Sequence, residues 1–500
     1  MNEREYKLVV DPDANLPTPS DLYRGLGEVS VDEIEQEAVY FDTSDLRLTR
    51  AGASLRYRSD DGWTVKLPIS VGSMIVREEL AFAGGGGRPP APAADVVRAL
   101  TRSASLHEVA HISTHRRRLR LQDRRGRLIG ELDDDVVRGS PQQSENVQFR
   151  EIEFEVADEA PARIVGKVLK RLRAAGATPD GNRTKVSRVL GDPAEGPPDL
   201  SPAPALKHRA TVEDLAQASI ANGTSRLVGA DPVVRLRRDP EGVHQARVAT
   251  RRMRSDLRTL RPFLDRSWCE HLRSELQWIG RLLGSVRDAD VLVELVEEHA
   301  STLRPGQHAR ATSLIGELER QRAGDRDTLL KAMSSPRYVS LLDELVAGAH
   351  APRMRHSKHA KANAVDAEAA RLIHKSWKRL DDRVKRLPAG DPSDAELHEV
   401  RKRAKQIRYA LEAVAPVFGK TASRAAKRLE SLQGVLGDHQ DAVVAAEWIE
   451  DAANQSDNVE TAFVAGELTE TFAATRRRLR HEWPKEWKRA RRAYEAGSWS

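Results

Sequence analysis

Between residue 3 and about residue 190, apolar and polar positions alternate with a period of two, interrupted by turn-forming residues. Such alternation predicts half-buried β-strands, because successive side chains of a strand point to opposite faces. Residues 160–175 instead have apolar positions at helical spacing and end near Gly176, which predicts a helix. The predicted strands cover residues 3–10, 37–42, 53–59, 63–69, 75–82, 115–122, 127–136 and 148–156.

A proline-rich stretch, DPAEGPPDLSPAPA at 192–205, follows this region. Beyond it, 3.6-residue periodicity continues almost to the C-terminus. Strands on one side of a stiff linker and helices on the other predict two separately folded domains. We therefore predict a multidomain α+β protein, with a β-rich domain at 1–192, a linker at 193–208 and an all-α domain at 209–500.

The helical region contains an internal repeat. The segment VHQARVATRRMRSDLRTLRPFL (243–264) aligns with LHEVRKRAKQIRYALEAVAPVF (397–418) at an offset of 154 residues. Downstream, LLGSVRDAD (282–290) aligns with VLGDHQDAV (435–443) at an offset of 153. Two matches at nearly the same offset predict a helical bundle of two pseudo-symmetric repeats, at about 209–350 and 366–500.

Charge is distributed unequally between the two regions. Residues 1–200 contain 29 Lys and Arg against 33 Asp and Glu, whereas residues 201–500 contain 52 against 42. The basic second region is suited to a polyanionic partner. A single cysteine, Cys269, excludes an internal disulfide framework, and no apolar run reaches the length of a signal peptide or membrane span. We therefore expect a cytoplasmic protein.

Several predicted strands carry charges of one sign on a single face, since residues two apart share a face. A half-exposed sheet explains one such strand, but not a series in which runs of both signs recur. If the sheet closes into a barrel, these faces line a polar interior. The runs are Glu3, Glu5 and Lys7; Arg56 and Arg58; Arg118 and Arg120; Glu131, Asp133 and Asp135; and Glu151, Glu153 and Glu155.

Arginine and lysine in such an interior would bind phosphate oxygens, and carboxylates would hold Mg²⁺ or Mn²⁺. Both signs in one cavity suit an anion that is carried with its metal. These residues therefore predict a site that binds a phosphate-bearing anion together with a divalent metal ion.

The same residues resemble the CYTH domain, the domain of triphosphate tunnel metalloenzymes. Residues 3–7, EREYK, match its ExExK signature. The remaining matches follow in family order and together cover residues 1–192. They are YFDTSDLRLTRAGASLRYR (40–58), WTVKLP (63–68), THRRRLRL (114–121), GELDDDVV (130–137) and FREIEFEV (149–156).

The resemblance implies an eight-stranded antiparallel β-tunnel with flanking helices, hydrolysing inorganic tripolyphosphate or an organic triphosphate. It implies Glu3, Glu5 and Lys7 as catalytic residues. Which of Glu151, Glu153 and Glu155 lies nearest the metal stays open, as does the residue or ion that deprotonates the attacking water. The implied metal ligands are Glu3, Glu5, Glu131, Asp133, Glu151 and Glu153. The implied phosphate ligands are Lys7, Arg56, Arg58, Lys66, Arg118, Arg120 and Lys185.

A competing motif, His107-Glu108-Val109-Ala110-His111, fits the H-E-x-x-H pattern of zinc proteases. That chemistry requires both histidines on one face of a helix. Here the motif falls in a short connector before an arginine-rich strand, so a chance match explains it better.

In each helical repeat a basic stripe lies about 100° around the helix from the apolar face. One basic helix face is usually only solvated, but two repeats with the same stripe predict a shared anion-binding surface. The stripes consist of His244, Arg247, Arg251, Arg254 and Arg258, and of His398, Arg401, Lys405 and Arg408. The second stripe continues with Glu412, where the first has Arg258.

This half resembles a CHAD domain, a helical domain with conserved histidines, through HQARVATRRMRSDL, HEVRKRAKQIRYALE, LLGSVRDAD and VLGDHQDAV. The resemblance implies binding of inorganic polyphosphate in a basic central groove, and association with polyphosphate granules would follow.

Two alternatives stay open: a non-catalytic scaffold for polyphosphate or nucleic acid, and a nucleotide cyclase or organic triphosphatase. Aromatic residues for base stacking are not interleaved with the basic stripes, which argues against nucleic acid.

Overall fold

The computed structural model describes residues 4–499 except 72–73, 143–144, 181–182, 204–210, 238, 302–304, 356–364, 389, 456–458 and 498. The chain divides into two compact units, Met1–Asp199 and Leu200–Ser500. Glu3 and residues 204–208 of the predicted linker lie outside the described residues.

The N-terminal unit is built on one antiparallel, tunnel-like sheet with the order β5-β4-β3-β2-β6-β7-β8-β1-β9. The described part contains nine strands rather than the eight expected, because the two-residue β9 pairs with β1. Within that part the hydrogen-bonded order runs from β5 to β9 and does not close. The strands are β1 Arg4–Val10, β2 Leu26–Asp42, β3 Ser54–Arg58, β4 Gly62–Val71, β5 Met74–Phe82, β6 His107–Asp123, β7 Leu128–Pro141, β8 Val147–Val156 and β9 Thr178–Pro179.

Strands β2 and β6 are both longer than their sequence patterns indicated, at 17 residues each. Only 37–42 and 115–122 were predicted as strand. The additional part of β2 carries several acidic residues. Each additional part is a strand because it pairs with the predicted part of the other strand. Cross-strand charge pairs support this pairing: the His115 Nδ1 atom lies 2.6 Å from a Glu35 carboxylate oxygen.

Among the described residues of this unit, seven short helices accompany the sheet: α1 Pro19–Leu22, α2 Arg47–Arg50, α3 Ala91–Val96, α4 Arg98–Thr101, α5 Ala162–Ala174, α6 Lys185–Leu190 and α7 Asp192–Glu195. Helix α5 was predicted from its periodicity. Its Val165, Val168 and Leu172 pack on one buried cluster with Ile152 and Phe154 of β8.

Helix α6 was not predicted, and it packs on the sheet face that also carries the charged residues. Val186 and Val189 of α6 join a buried apolar cluster with Ile112, Val137 and Phe149, from β6, β7 and β8. The capping box of Thr184 and Ser187 fixes the start of this helix. Apolar packing therefore covers one end of that face and leaves the charged residues beyond it.

In the second unit the described residues form nine helices, in agreement with the predicted all-α domain. They are α8 Val212–Leu236, α9 Pro240–Leu260, α10 Arg266–Ala300, α11 Pro305–Met333, α12 Pro336–His350, α13 Val365–Lys385, α14 Asp394–Ala413, α15 Ala415–Asn454 and α16 Val459–Glu495. Helix α15 is interrupted at Gly419, whose φ of 57° lies in the left-handed region. In the described parts of the chain, no helix is both long enough and apolar enough to cross a membrane.

The sequence repeat corresponds to a repeated pair of helices. Helices α9 and α10 of the first repeat correspond to α14 and α15 of the second. The apolar stripes are buried as expected, with Val243, Ala246 and Leu257 in α9 and Val400, Ala404 and Leu411 in α14 almost inaccessible to solvent. Burial of these stripes turns the basic stripes of α9 and α14 away from the core.

Candidate functional site

The charged residues of β1, β6, β7 and β8 form rows across the sheet because of the strand register. Asp135 is opposite Glu151, and Asp133 is opposite Glu153, across the β7–β8 pair. Lys7 is opposite Glu153 on the other side, and Arg116 is opposite Asp135. Paired residues share a face, so the alternating charges seen in the sequence meet on one surface.

Three carboxylates form the centre of this surface, which we call the acidic triad: Asp135, Glu151 and Glu153. One oxygen of each lies within 4.8 Å of the others, and all three residues are buried. Oxygen donors in this number and spacing match the preference of hard divalent cations such as Mg²⁺ and Mn²⁺. Within the described residues, no other group of three acidic, histidine or cysteine ligands is this close.

Three cations surround the acidic triad. Lys185 Nζ lies 2.6 Å from Glu151, 2.9 Å from Asp135 and 3.0 Å from Glu153. Lys7 Nζ lies 2.8 Å from Glu153. Arg116 donates to Asp135 through two nitrogens at 2.8 and 2.7 Å and to Glu153 at 2.9 Å. Each carboxylate is thus compensated, as buried charges require.

The mutual compensation shifts the pKa values of the groups involved. Burial alone would raise the pKa of Glu153, but Lys185, Lys7 and Arg116 hold it well below its usual range. Burial would likewise lower the pKa of Lys185, yet Glu153, Asp135 and Glu151 raise it well above normal. The site therefore keeps Glu153 ionised and Lys185 protonated at neutral pH.

Other predicted ligands lie further along the same rows. Arg118 binds Asp133 with two hydrogen bonds of 2.8 Å, and Arg120 binds Glu131 at 3.1 Å. Asp133 and Glu131 are thus held by arginines and do not belong to the acidic triad, so their assignment as metal ligands stays a prediction. Glu5 lies 3.3 Å from Lys7.

The remaining predicted phosphate ligands lie on β3 and β4. Lys66 pairs with Glu79 at 2.7 Å, and Arg56 lies 3.4 Å from the same carboxylate. Arg58 binds Asp60 at 2.9 Å. These cations belong to other strands than the acidic triad, and their part in phosphate binding stays a prediction.

Two central residues, Arg116 and Asp135, were absent from the predicted site. Asp135 belongs to one of the alternating runs, and Arg116 extends another. Arg116 lies two positions before Arg118, and Asp135 two positions after Asp133. The alternation puts all of them on one face, but only the strand register shows which members of each run come together.

The H-E-x-x-H motif lies in strand β6, not in a connector as its position had indicated. An extended strand separates residues four apart by roughly 13 Å, which is too far for one zinc ion. His111 instead lies 3.1 Å from the Glu108 carboxylate. A zinc-protease site is excluded.

In the helical unit, the two basic stripes meet on α9 and α14. Arg258 Nη2 donates to Gln406 Oε1 at 2.9 Å, and Arg252 lies 3.3 Å from Glu412. These two contacts are equivalent under the repeat, since Arg258 matches Glu412 and Arg252 matches Gln406. The two helices thus pack about a pseudo-two-fold relation.

The repeat also relates ion pairs within each half. Arg247 lies 2.8 Å from Asp288, and Arg401 lies 3.6 Å from Asp441. Both carboxylates come from the downstream repeated motif, which explains why that motif recurs with the stripe.

Four cations converge where the stripes meet, and we call them the central basic cluster: Arg247, Arg251, Arg401 and Lys405. Burial, together with Arg401, Arg251 and Arg247, lowers the pKa of Lys405 to about 7. Burial and the neighbouring arginines also lower the pKa of Arg401. The cluster therefore has an excess of positive charge that an anion would relieve.

The histidines of the stripes are partly buried and border this cluster. Burial is the main cause that lowers the pKa of His244 and of His398. Both histidines are therefore mostly neutral at neutral pH, and their contribution to an anion site would be hydrogen bonding.

A tunnel-like sheet with a triad of oxygen ligands, and a pair of helices with clustered cations, are features that suit a protein that handles phosphate compounds. Residues 1–178 match the CYTH domain model, and residues 218–450 match the CHAD domain model. The chain therefore belongs to the CYTH–CHAD two-domain proteins.

Two uncharacterised proteins of Mycobacterium tuberculosis are similar to most of the chain. Rv2226 of strain H37Rv and MT2285 of strain CDC 1551 / Oshkosh are each 31% identical over 477 residues, covering 89% of this chain and 88% of theirs. Among solved structures, PptA from Streptomyces chartreusis has 25% sequence identity and a TM-score of 0.48, with 56% of this chain and 100% of that chain covered. The CHAD domain from the plant Ricinus communis has 22% identity and a TM-score of 0.47, with 60% and 97% covered.

Proposed function

We propose that the N-terminal unit hydrolyses inorganic tripolyphosphate to pyrophosphate and phosphate with Mg²⁺ or Mn²⁺, and that the helical unit binds inorganic polyphosphate. The observation that supports the first part is the acidic triad among Lys7, Lys185 and Arg116. A triad of oxygen ligands next to phosphate-binding cations suits an anion that arrives with its metal.

In this proposal Asp135, Glu151 and Glu153 hold the divalent ion. A bound ion would supply positive charge that neutralises the negative charge developing on the phosphoryl group. The ammonium groups of Lys7 and Lys185 and the guanidinium of Arg116 then exchange carboxylate oxygens for phosphate oxygens. Their positions are already fixed by the strands and by helix α6, so little reorganisation is needed.

The reaction is an in-line displacement at phosphorus. A bond forms between a water oxygen and the terminal phosphorus, and the bridging P–O bond breaks. Pyrophosphate leaves with the bridging oxygen, and the proton of the water passes to a base or to solvent. Apolar packing of Val186 and Val189 on one end of the charged face excludes water from that side.

The test is phosphate release by the full-length protein with Mg²⁺ or Mn²⁺, using tripolyphosphate, ATP, thiamine triphosphate and long-chain polyphosphate. The variant Glu151→Gln/Glu153→Gln controls for contaminating phosphatases. We expect turnover of tripolyphosphate that the variant lacks. Faster turnover of ATP or thiamine triphosphate would redirect the assignment to an organic triphosphatase, and cyclic nucleotide formed from ATP would indicate a cyclase.

The central basic cluster supports the second part of the proposal. The experiment is a titration of full-length protein with long-chain polyphosphate, compared with Arg251→Gln/Lys405→Gln. We expect the double variant to bind at least about tenfold more weakly, because two clustered cations are lost. If the protein binds polyphosphate but turns over no triphosphate, it is a non-catalytic polyphosphate-binding scaffold. In either case, we expect a polyphosphate-binding protein to associate with polyphosphate granules.

A further inference from the structure

The two repeats differ in how their stripe arginines are compensated. Arg254 of α9 corresponds to Arg408 of α14, and Gln277 of α10 corresponds to Glu430 of α15. Arg254 donates to the neutral Gln277 at 3.0 Å, whereas Arg408 pairs with the Glu430 carboxylate at 2.6 Å. The same contact is therefore an ion pair in the second repeat and a neutral hydrogen bond in the first.

The next position of each stripe shows the same asymmetry. Arg258 contacts the neutral Gln406, whereas its equivalent, Glu412, lies 3.3 Å from Arg252 and 3.6 Å from Arg408. The second repeat thus carries carboxylates at its end of the groove. The first repeat carries arginines that contact amides.

More arginines gather on the first-repeat side. Burial, followed by Arg273 and Arg281, lowers the pKa of Arg254. Burial, followed by the charges of Arg379, Arg273 and Arg403, lowers the pKa of Arg258. Of these neighbours, Arg273 has a carboxylate partner, Glu270, at 2.8 Å. Arg379 and Arg403 come from the second repeat, on α13 and α14. We call the members from the first repeat the first-repeat arginines: Arg254, Arg258, Arg273 and Arg281.

Clustered guanidinium groups repel each other unless an anion compensates them. Polyphosphate carries regularly spaced charges, and the central basic cluster is continuous with Arg254 along helix α9. We propose that a bound polyphosphate chain leaves the central basic cluster over the first-repeat arginines and not over the equivalent position of the second repeat, where Arg408 is paired with Glu430. This inference rests on the proposed polyphosphate binding and adds a direction and a chain-length dependence to it.

Two described aromatic residues near this path, Tyr409 and Trp278, are already in contact with arginines, which favours polyphosphate over nucleic acid. Tyr409 is buried, with the guanidinium groups of Arg251 and Arg408 over its ring at 5.7 and 4.9 Å. Trp278 is covered by Arg337 at 4.1 Å.

The experiment compares two variants of the full-length protein. One adds a negative charge beside Arg254 in the first repeat, and the other adds a negative charge beside Arg408 in the second. Gln277→Glu gives Arg254 the carboxylate that Arg408 already has. Ser431→Glu places the same charge next to Glu430 in the second repeat and is the matched control. Dissociation constants are measured by titration with tripolyphosphate and with long-chain polyphosphate over a range of salt concentrations.

We expect Gln277→Glu to weaken binding of long chains about fivefold and to reduce the salt slope by about one, with tripolyphosphate binding unchanged. Ser431→Glu should change all of these values less than about twofold. Without polyphosphate, Gln277→Glu should also raise the melting temperature, because Arg254 gains a counter-charge.

Equal effects of the two substitutions would overturn the directional path, as would long-chain binding that Gln277→Glu leaves unchanged. Arg251→Gln separates the two levels of the proposal: if it abolishes binding while Gln277→Glu has no effect, polyphosphate binding stands and the path fails. If wild-type protein binds no polyphosphate, the proposed function itself fails. If single-stranded DNA of equal charge displaces polyphosphate, the ligand of this surface is nucleic acid and the proposal is wrong.

Discussion

Lys7 and Glu153 lie opposite each other on the paired strands β1 and β8, with Lys7 Nζ 2.8 Å from Glu153 Oε1. The sequence separates them by most of the domain, and only strand pairing brings them together. The carboxylate that compensates Lys7 also belongs to the acidic triad. Binding of a metal at Glu153 and binding of phosphate at Lys7 are therefore coupled in the proposed reaction.

This coupling predicts the effect of Glu153→Gln. We expect the affinity for Mn²⁺ to fall at least about tenfold, because one charged ligand of three is lost. The control is Glu155→Gln, an exposed position two residues further on the same strand face. Calorimetric titration with Mn²⁺ alone measures the affinity without requiring turnover. If the two variants bind Mn²⁺ with equal affinity, Glu153 is not a metal ligand.

Arg116 provides a second test, on stability. It contacts Asp133, Asp135 and Glu153, and its side chain is only 12% exposed. We expect Arg116→Gln to lower the free energy of unfolding by about 3 kcal/mol, since it leaves buried carboxylates with fewer counter-charges. Arg117→Gln, whose side chain is exposed on the opposite strand face, should change it by less than about 0.5 kcal/mol. Denaturant titration of both variants checks the difference, and similar losses would contradict it.

Alternation along the chain indicated most strands and the face on which each charge lies, because a strand has a fixed period of two. It did not indicate the first part of β2, where Asp32, Glu33 and Glu35 make the segment look too polar for a strand. That segment is a strand because β6 supplies Arg117, Arg118 and His115 opposite these residues. Such pairing depends on two segments that are far apart in the sequence, so the pattern within one segment does not reveal it.

The site shows the same limit. The runs of carboxylates and arginines were visible, but the distinction between Glu151, Glu153 and Glu155 was not. Strand register and the position of Lys185 at the start of α6 place the first two in the acidic triad and leave the third exposed. In the helical unit the 154-residue repeat predicted the equivalence of α9 and α14. It could not show that Lys405 lies against arginines of the other repeat.

The central basic cluster predicts a pH dependence of polyphosphate binding. Burial and three arginines lower the pKa of Lys405 to about 7, so this lysine is largely neutral at pH 8 and mostly protonated at pH 6. The groups that act on it are Arg401, Arg251 and Arg247, against the opposing charge of Asp441. A bound polyanion favours the protonated form, so binding takes up a proton near neutral pH.

We therefore expect polyphosphate affinity to rise severalfold from pH 8 to pH 6. Lys405→Arg keeps a charge at all these pH values and should flatten the profile at the high-affinity level. His244 and His398 also border the cluster, and His244→Gln/His398→Gln separates their contribution. Two results together would assign the pH dependence to the histidines instead. Lys405→Arg would keep the wild-type change of affinity with pH, and His244→Gln/His398→Gln would lose it.

Asp256 on α9 predicts a pH dependence of folding. Ser219 Oγ donates to one of its oxygens at 2.7 Å, and the other oxygen is buried without a hydrogen-bond partner. Burial, opposed by Ser219 and by Arg252, raises the pKa of Asp256 to about 6 from a normal value near 3.8. The folded state therefore binds a proton more tightly than the unfolded state. The resulting stability is fully present below about pH 4 and is lost as pH rises through 6.

Asp256→Asn removes this titration and still accepts the Ser219 hydrogen bond. We expect its stability relative to wild type to increase between pH 5 and pH 8 by about 1.4 kcal/mol, because only the wild type must bury an ionised carboxylate there. Ser219→Ala should act in the opposite direction, since it removes the donor that favours the ionised form. Denaturant titrations at several pH values measure both differences. A difference between Asp256→Asn and wild type that does not change with pH would show that Asp256 does not titrate in this range.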